Sequence, residues 1–158
     1  MATKKVKGPN WANIKKLRDH LAKLRQTKYR KFNMADYIQI ISGKEYGDTV
    51  SVGELRKNGP ECGSAACLAG ETVILLAPAT MKFGVTGDDS SRSYDLYLKH
   101  NSVEPVAKKL LGLNNREAWH MFSGDWSQNF LERKTKQQAI RYLDKAIKER
   151  DILVCLDS

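Results

Sequence analysis

The sequence predicts a mainly helical fold: one compact domain of about five or six helices around a buried helix rich in Gly, Ala and Cys, with room for one small β-hairpin. Three observations support this fold class. Several segments repeat apolar residues at spacings of three and four, which is typical of amphipathic helices. Residues 61–77 are apolar on nearly every side, as in a buried helix. The chain of 158 residues is 41% hydrophobic, which suffices for one core.

The N-terminal region divides into a tail and a helix. Residues 1–9 lack apolar periodicity and end in Gly8 and Pro9, so we expect a flexible basic tail followed by a single mainly helical domain over residues 10–158. Asn10 is a suitable N-cap. The apolar stripe of the first helix comprises Trp11, Ile14, Leu17, Leu21 and Leu24. Its basic residues lie mainly off the stripe and should face solvent.

The next three segments lead to the predicted central helix. Residues 32–41 suggest a second short helix that ends near Gly43. Residues 43–60 are rich in turn formers and predict a long connection, with one short strand around Val50 and Val52. Residues 61–77 then predict the buried helix, which Pro78 terminates.

The remaining elements are predicted from alternation and from capping signals. Residues 81–85 and 94–98 alternate apolar and other residues around a turn, which favours the hairpin. Ser102 can cap a helix that carries Pro105 in its first turn and stops at Gly112. Two further helices have capping pairs, namely Asn114 with Glu117 and Thr135 with Gln138.

The charge of the chain is concentrated at its N-terminus. Residues 1–31 hold eleven Lys and Arg and one acid, Asp19, so they account for all of the formal net charge of +9. Such a segment recruits polyanions in a salt-dependent way, although the charges could also serve only solubility. The candidate polyanion-binding residues are Lys4, Lys5, Lys7, Lys15, Lys16, Lys23, Arg25, Lys28, Arg30 and Lys31. Nucleic acid is the leading partner and an acidic host protein is the alternative.

Composition also predicts where in the cell the protein is found. Charged residues make up 28% of the chain, and its apolar runs are far too short to cross a bilayer. The basic first residues precede no apolar signal segment, so we expect a cytoplasmic protein. Three cysteines in a chain of this size indicate reduced thiols. No Cys and His cluster accompanies them, so neither a metal nor a cofactor is expected.

Several motifs occur in a fixed order along the chain. They are KLRDHL at 16–21, FNM at 32–34, ECGSAACLAG at 61–70, LLGL at 110–113, and Phe122, Trp126, Thr135, Ala139, Arg141 and Tyr142. This order resembles an uncharacterised family of small bacteriophage and bacterial proteins, which carries an LRxxL opening, an FDM element, a CGTxxCxxG box and a closing F…W…T…A…RI segment. Asn33 and Ser64 depart from the family's Asp and Thr. The resemblance implies a phage or mobile-element setting and assigns no catalytic residue.

The cysteine segment has two interpretations. Small thiols in a tight helix interface are usually buried core residues. The box also resembles that of papain-like peptidases, in which Cys62 would be the nucleophile, with His100 as its base and Asn101 orienting that base. The box has one extra residue between Gly63 and Cys67, and no Gln precedes Cys62 to complete an oxyanion hole. The core interpretation is therefore favoured.

An aromatic cluster near the C-terminal third is a further candidate site. It contains Trp119, His120, Trp126 and Phe130, shortly before Arg133. Aromatic residues on short helices usually belong to the core, whereas an exposed Trp beside Arg is suited to stacking on nucleobases. Both interpretations remain open from the sequence.

Together these observations predict a non-enzymatic, phage-type accessory protein whose basic N-terminal arm binds a polyanion, most readily nucleic acid. Two alternatives remain open. The first is a protein-interaction factor that inhibits a host defence protein or binds a nucleotide signal. The second is a papain-like cysteine hydrolase or transferase built on Cys62.

Overall fold

The computed structural model describes residues 8–25, 30–32, 38–40, 49–57, 64–87, 96–98, 100–126 and 135–156. The predicted mainly helical fold is confirmed, with six helices in these ranges. The helices are α1 (Trp11–Lys23), α2 (Val52–Lys57), α3 (Leu68–Leu76), α4 (His100–Leu111), α5 (Asn115–Ser123) and α6 (Lys136–Glu149). None of the helices in the described ranges is long and apolar enough to cross a membrane.

Short strands form a sheet beside the helices. They are β1 (Arg30–Phe32), β2 (Ile38–Ile40), β3 (Thr49–Ser51), β4 (Ser64–Ala66), β5 (Lys82–Gly87) and β6 (Leu96–Leu98). Their order is β1-β4-β2-β6-β5-β3, with β1 and β4 parallel and the other pairs antiparallel. The predicted hairpin is present as β5 and β6, in which Val85 lies opposite Leu98. The strand predicted around Val50 is β3. The described sheet is therefore larger than one hairpin.

Two predicted helical segments contain strands instead. Residues 32–41 were expected to form a helix, but β1 ends at Phe32 and β2 occupies Ile38–Ile40. The central helix was expected from residue 61, but Ser64–Ala66 is a strand and the helix begins at Leu68. The physical reason is pairing, because β4 hydrogen-bonds to β1 on one side and to β2 on the other. These long-range bonds override the helix preference of two alanines.

Local capping predictions agree better with the structure. The side chains of Asn10, Asn114 and Thr135 cap α1, α5 and α6, the last two in complete capping boxes. Gly112 ends α4 in the left-handed conformation, with φ of 65°. One boundary differs, since α4 begins at His100 and contains Ser102 and Pro105 in its interior rather than at its start.

The helix α3 is the centre of the core, as predicted for the Gly/Ala/Cys-rich segment. Every residue from Leu68 to Ile74 is buried, and α3 contacts α1, α2, α4 and α5. Its C-terminus is capped by Arg56 of α2, whose guanidinium donates to the carbonyl oxygens of Ile74 at 2.5 Å, Leu75 at 3.2 Å and Ala77 at 2.5 Å. A cation at this end also stabilises the helix dipole.

Candidate polyanion-binding surface

The apolar stripe of α1 determines where its cations lie. Ile14, Leu17 and Leu21 are fully buried, in a helix that packs on α6, α3 and α4. Since residues on the opposite side of a helix cannot reach the same core, Lys15, Lys16 and Lys23 are exposed. The predicted division of α1 into an apolar side and a basic side is thus confirmed.

Both ends of α1 are attached to other helices. At its start, the Asn10 N–H donates to the Leu111 carbonyl at 2.8 Å and the Asn13 side chain donates to the Leu110 carbonyl at 2.8 Å. At its end, the Lys136 ammonium donates to the Leu24 carbonyl at 2.8 Å. The basic side of α1 is therefore presented by an anchored helix, which lowers the entropy cost of binding a ligand there.

One cation of α1 is neutralised by acids. Arg18 donates to the Asp144 carboxylate of α6 from Nε at 2.7 Å and from Nη2 at 3.4 Å, and lies 3.4 Å from Asp19. The hydrogen bond and charge of Asp144 raise the pKa of Arg18. Among the carboxylates that the structure describes, none lies within 4.0 Å of the side-chain nitrogens of Lys15, Lys16, Lys23 or Arg25. These four exposed charges are available to a polyanion.

A groove on α6 continues this surface. It has a volume of about 440 Å³ and is lined by Arg141, Asp144, Lys145, Lys148, Glu149 and Leu156. Asp144 belongs to the groove and also pairs with Arg18, so the groove borders the basic side of α1. The Lys145 ammonium donates to the Cys155 carbonyl at 2.6 Å, which holds the C-terminal segment against α6.

The α6 cations were not among the residues predicted from the sequence. Arg141, Lys145 and Lys148 recur at i, i+4 and i+7, and this spacing places them on one side of a helix. That signal was available in the sequence, but the acids of the same helix, Asp144 and Glu149, partly offset the cations in a net-charge count. Only the packing of α1 on α6 brings them beside the N-terminal basic residues.

The structure describes only two of the other predicted polyanion-binding residues, and only as part of a strand. Arg30 and Lys31 belong to β1, which pairs with β4. Lys4, Lys5, Lys7 and Lys28 lie outside the described residues. The basic surface therefore consists of Lys15, Lys16, Lys23 and Arg25, and the α6 groove is connected to the same helix by the Arg18–Asp144 ion pair.

The three residues of the alternative catalytic site are not assembled within the described part of the chain. Cys62 lies outside it. His100 and Asn101 occupy the first turn of α4, and their side chains also fall outside the described positions. In the described ranges, no group of three or more His, Cys, Asp and Glu residues could hold a metal ion. The cysteine-enzyme interpretation remains a prediction.

Cys67 has the properties of a core residue. Its side chain is buried, and it occupies the N-cap position of α3. Burial raises the pKa of the Cys67 thiol from 9.0 to about 12, although the backbone N–H groups of Gly70 and Ala69 lower it. Since the thiolate is the reactive form, Cys67 is inert at neutral pH.

We expect iodoacetamide at pH 7.5 to alkylate the exposed Cys155 readily and to leave Cys67 unmodified until the protein unfolds. Peptide fragmentation after alkylation identifies Cys67 separately from Cys62. Because folding raises the pKa of Cys67, the unfolded chain loses the thiol proton at a lower pH than the folded protein does. The free energy of unfolding should therefore fall as the pH rises from 9.0 towards about 12. Rapid labelling of Cys67 in the native protein would contradict its placement in the core.

A histidine and a buried carboxylate join α1 to the central helix. His20 Nε2 lies 2.8 Å from Glu71 Oε2, and the Glu71 side chain is fully buried whereas His20 is 23% exposed. A buried carboxylate is costly without a hydrogen-bonding partner. The His20–Glu71 pair therefore connects α1, which carries the basic surface, to the core. Next to Glu71, the Thr72 hydroxyl donates to the Leu68 carbonyl at 2.7 Å.

The aromatic cluster divides between the two interpretations made from the sequence. Trp126 is fully buried and His120 is 8% exposed, with His120 Nε2 2.9 Å from the Val154 carbonyl oxygen. Trp119 is 67% exposed and is the only exposed large hydrophobic side chain in the described ranges. Phe130 and Arg133 lie outside the described residues. Core packing explains Trp126 and His120, but not Trp119.

Comparisons with known proteins add no assignment to this geometry. No protein-family model matches the chain, and no curated protein or solved structure matches it. The resemblance to a bacteriophage family stays a prediction.

Proposed function

We propose that this protein is a non-enzymatic, phage-type accessory protein that binds nucleic acid in the cytoplasm through its basic N-terminal arm and α1. The observation that carries the proposal is the segregation of charge. Residues 1–31 contain eleven Lys and Arg and one acid, while the remainder of the chain is close to neutral. Four of the described cations of this region, Lys15, Lys16, Lys23 and Arg25, are exposed.

The mechanism follows from the electrostatics of phosphate. Lysine and arginine side chains neutralise backbone phosphates and release the counterions condensed on them, and this release supplies most of the free energy of non-specific binding. Phosphate contacts position the nucleic acid but carry no direct sequence information. Anchored cations on α1, with Arg141 and Lys148 at its border, therefore favour recognition of a charged backbone over a particular base sequence.

The primary test is a salt titration of binding to duplex DNA, single-stranded DNA and RNA, measured by gel shift or fluorescence anisotropy. We expect micromolar affinity at low salt that falls linearly on a log–log plot, with a slope of about −0.9 for each neutralised phosphate of duplex DNA. Reversing Lys15, Lys16, Lys23 and Arg25 to Glu should weaken binding and make the slope shallower by about 3.6 if each contacts one phosphate. The circular dichroism spectrum and melting temperature should change little, because these side chains are exposed.

A matched pair of single variants controls for net charge. Lys16→Glu and Lys82→Glu each change the charge by the same amount, at exposed positions on α1 and β5. We expect a clear loss of affinity for Lys16→Glu and a smaller one for Lys82→Glu. Equal losses would mean that only the overall charge matters. If none of the three nucleic acids binds at micromolar protein, the proposal is wrong, and acidic host proteins become the partners to test.

A further inference from the structure

The exposed side of α5 is unusual in carrying a tryptophan. Trp119 is 67% exposed, although aromatic side chains usually stabilise a protein by burying their large apolar rings. Three other exposed residues share its side of the helix: Asn115 and Arg116 precede it by four and three positions, and Ser123 follows it by four. The side combines an aromatic ring, a guanidinium and two hydrogen-bonding groups.

The rest of α5 holds this side outward. Ala118, Met121 and Phe122 are buried, so the helix cannot rotate to bury Trp119 without exposing them. A capping box of Asn114 and Glu117 begins the helix, and Gly124 ends it with φ of 75°. Trp119 therefore projects from a short helix with defined ends and a buried opposite side, which is a suitable platform for stacking.

Positive charge surrounds the start of this helix. A cavity of about 530 Å³ lies between the end of α4 and the start of α5, and its lining includes Gly8, Lys108, Lys109 and Glu117. The Glu117 carboxylate accepts a hydrogen bond from the Asn114 N–H at 3.0 Å. The exposed side of α5 carries no carboxylate. Lys108, Lys109 and Arg116 place three cations near the start of α5, against Glu117 in its first turn and the exposed Asp125 beyond its end. The net charge near the start of α5 is therefore positive and complementary to phosphate.

We propose that the exposed side of α5 binds single-stranded nucleic acid, with one base stacked on the Trp119 indole and Arg116 contacting a neighbouring phosphate. This inference rests on the proposed nucleic-acid function and names its preferred ligand. In a duplex both faces of an internal base are already stacked, so an indole on a helix surface can reach only an unpaired base. Every base has a π-face, so such stacking tolerates any sequence.

The surroundings of Trp119 favour a nucleic acid over a protein partner. The cores of protein interfaces are enriched in aromatic residues and Arg, but they combine several apolar side chains in one patch. Trp119 instead is the one exposed large hydrophobic residue in the described ranges, and its neighbours on the helix are Asn115, Arg116 and Ser123. An isolated aromatic ring among polar and cationic groups is typical of a surface that stacks on bases.

The test compares a fluorescein-labelled 20-nucleotide oligothymidine with a labelled 20-base-pair duplex, using fluorescence anisotropy and the full chain. We expect Trp119→Ala to weaken oligothymidine binding by about five-fold to one-hundred-fold, the range for loss of one stacked base. Duplex affinity should stay within about two-fold, since the phosphate contacts on α1 remain. Trp119→Phe should retain most of the oligothymidine affinity, because a phenyl ring also stacks.

The variants also distinguish failure of this inference from failure of the proposed function. If Trp119→Ala binds both ligands as the wild type does, the stacking role is wrong while nucleic-acid binding stands, and the side is open to a protein partner. An equal loss for both ligands would overturn the preference for single strands. If the wild type binds neither ligand, the proposed function fails as well. Unchanged melting temperatures for the Trp119 variants confirm that any loss is not caused by unfolding.

Discussion

Replacing Trp126 with Ala is expected to lower the free energy of unfolding by about 3–5 kcal/mol. The indole is fully buried and stacks on Tyr142, with ring centroids 5.0 Å apart and an interplanar angle of 11°. Its Nε1–H donates to the Met121 carbonyl at 3.0 Å, so truncation removes apolar contacts and leaves a buried acceptor without this donor. The Tyr142 hydroxyl donates to the Ile152 carbonyl at 2.6 Å, which extends the same cluster to the C-terminal segment.

Chemical denaturation of the wild type, Trp126→Ala and Trp119→Ala measures this effect with an internal control. The two variants make the same chemical change, at a fully buried and at a 67% exposed position. We expect Trp119→Ala to alter stability by no more than about 0.5 kcal/mol. If both variants lost the same stability, Trp126 would not be part of the core as placed here.

Replacing Gly112 with Ala is expected to destabilise the protein by about 2–5 kcal/mol. Its φ of +65° is a conformation that costs L residues about 1–2 kcal/mol. A Cβ would also lie 2.9 Å from the Gly8 carbonyl oxygen and 3.0 Å from the Asn10 nitrogen, and such overpacking typically costs about 1–3 kcal/mol. The chain cannot move away freely, because the Asn10 N–H is hydrogen-bonded to the Leu111 carbonyl at 2.8 Å.

The matched control for this prediction is Gly8→Ala, on the other side of the same contact. A Cβ at Gly8 would meet no atom within 4 Å, so we expect a change in stability of no more than about 0.5 kcal/mol. Thermal and urea unfolding of both variants measure the difference. Wild-type stability of Gly112→Ala would show that the N-terminus of α1 does not pack tightly on the end of α4.

These contacts connect stability to the proposed binding surface. The Gly112 turn positions the start of α1, and the Lys136 ammonium donates to the carbonyl of Leu24, the C-cap of α1, at 2.8 Å. A destabilised α1 terminus should therefore weaken polyanion binding, even though neither residue belongs to the basic surface. Replacing an exposed cation such as Lys16 should also reduce affinity, but it should leave stability unchanged.

Much of the fold was predictable from the sequence because its signals are local. The caps at Asn10, Asn114 and Thr135 bond to backbone groups three residues away, and the stop at Gly112 depends on the conformation of one residue. The apolar stripe of α1 is periodic within a single helix, so its basic side was predictable too. Interactions confined to about one helical turn leave a readable pattern of residue types.

The strands at residues 30–32, 38–40 and 64–66 were decided by tertiary structure. Arg30 pairs with Ser64, and Ile38 pairs with Ala66, so each strand depends on partners far along the chain. Local propensity carries no information about such pairing, and alanine-rich residues 64–66 resembled the start of a helix.

The candidate site shows the same division. The sequence by itself determined the N-terminal concentration of charge and the outward direction of Lys15, Lys16 and Lys23 on α1. Tertiary structure decided that α6 cations border this surface and that Trp119 is exposed while Trp126 is buried. Trp119 has apolar neighbours in the sequence and Trp126 has polar ones, yet Trp119 is exposed, because α3 and α4 contact α5 on the side of Ala118, Met121 and Phe122.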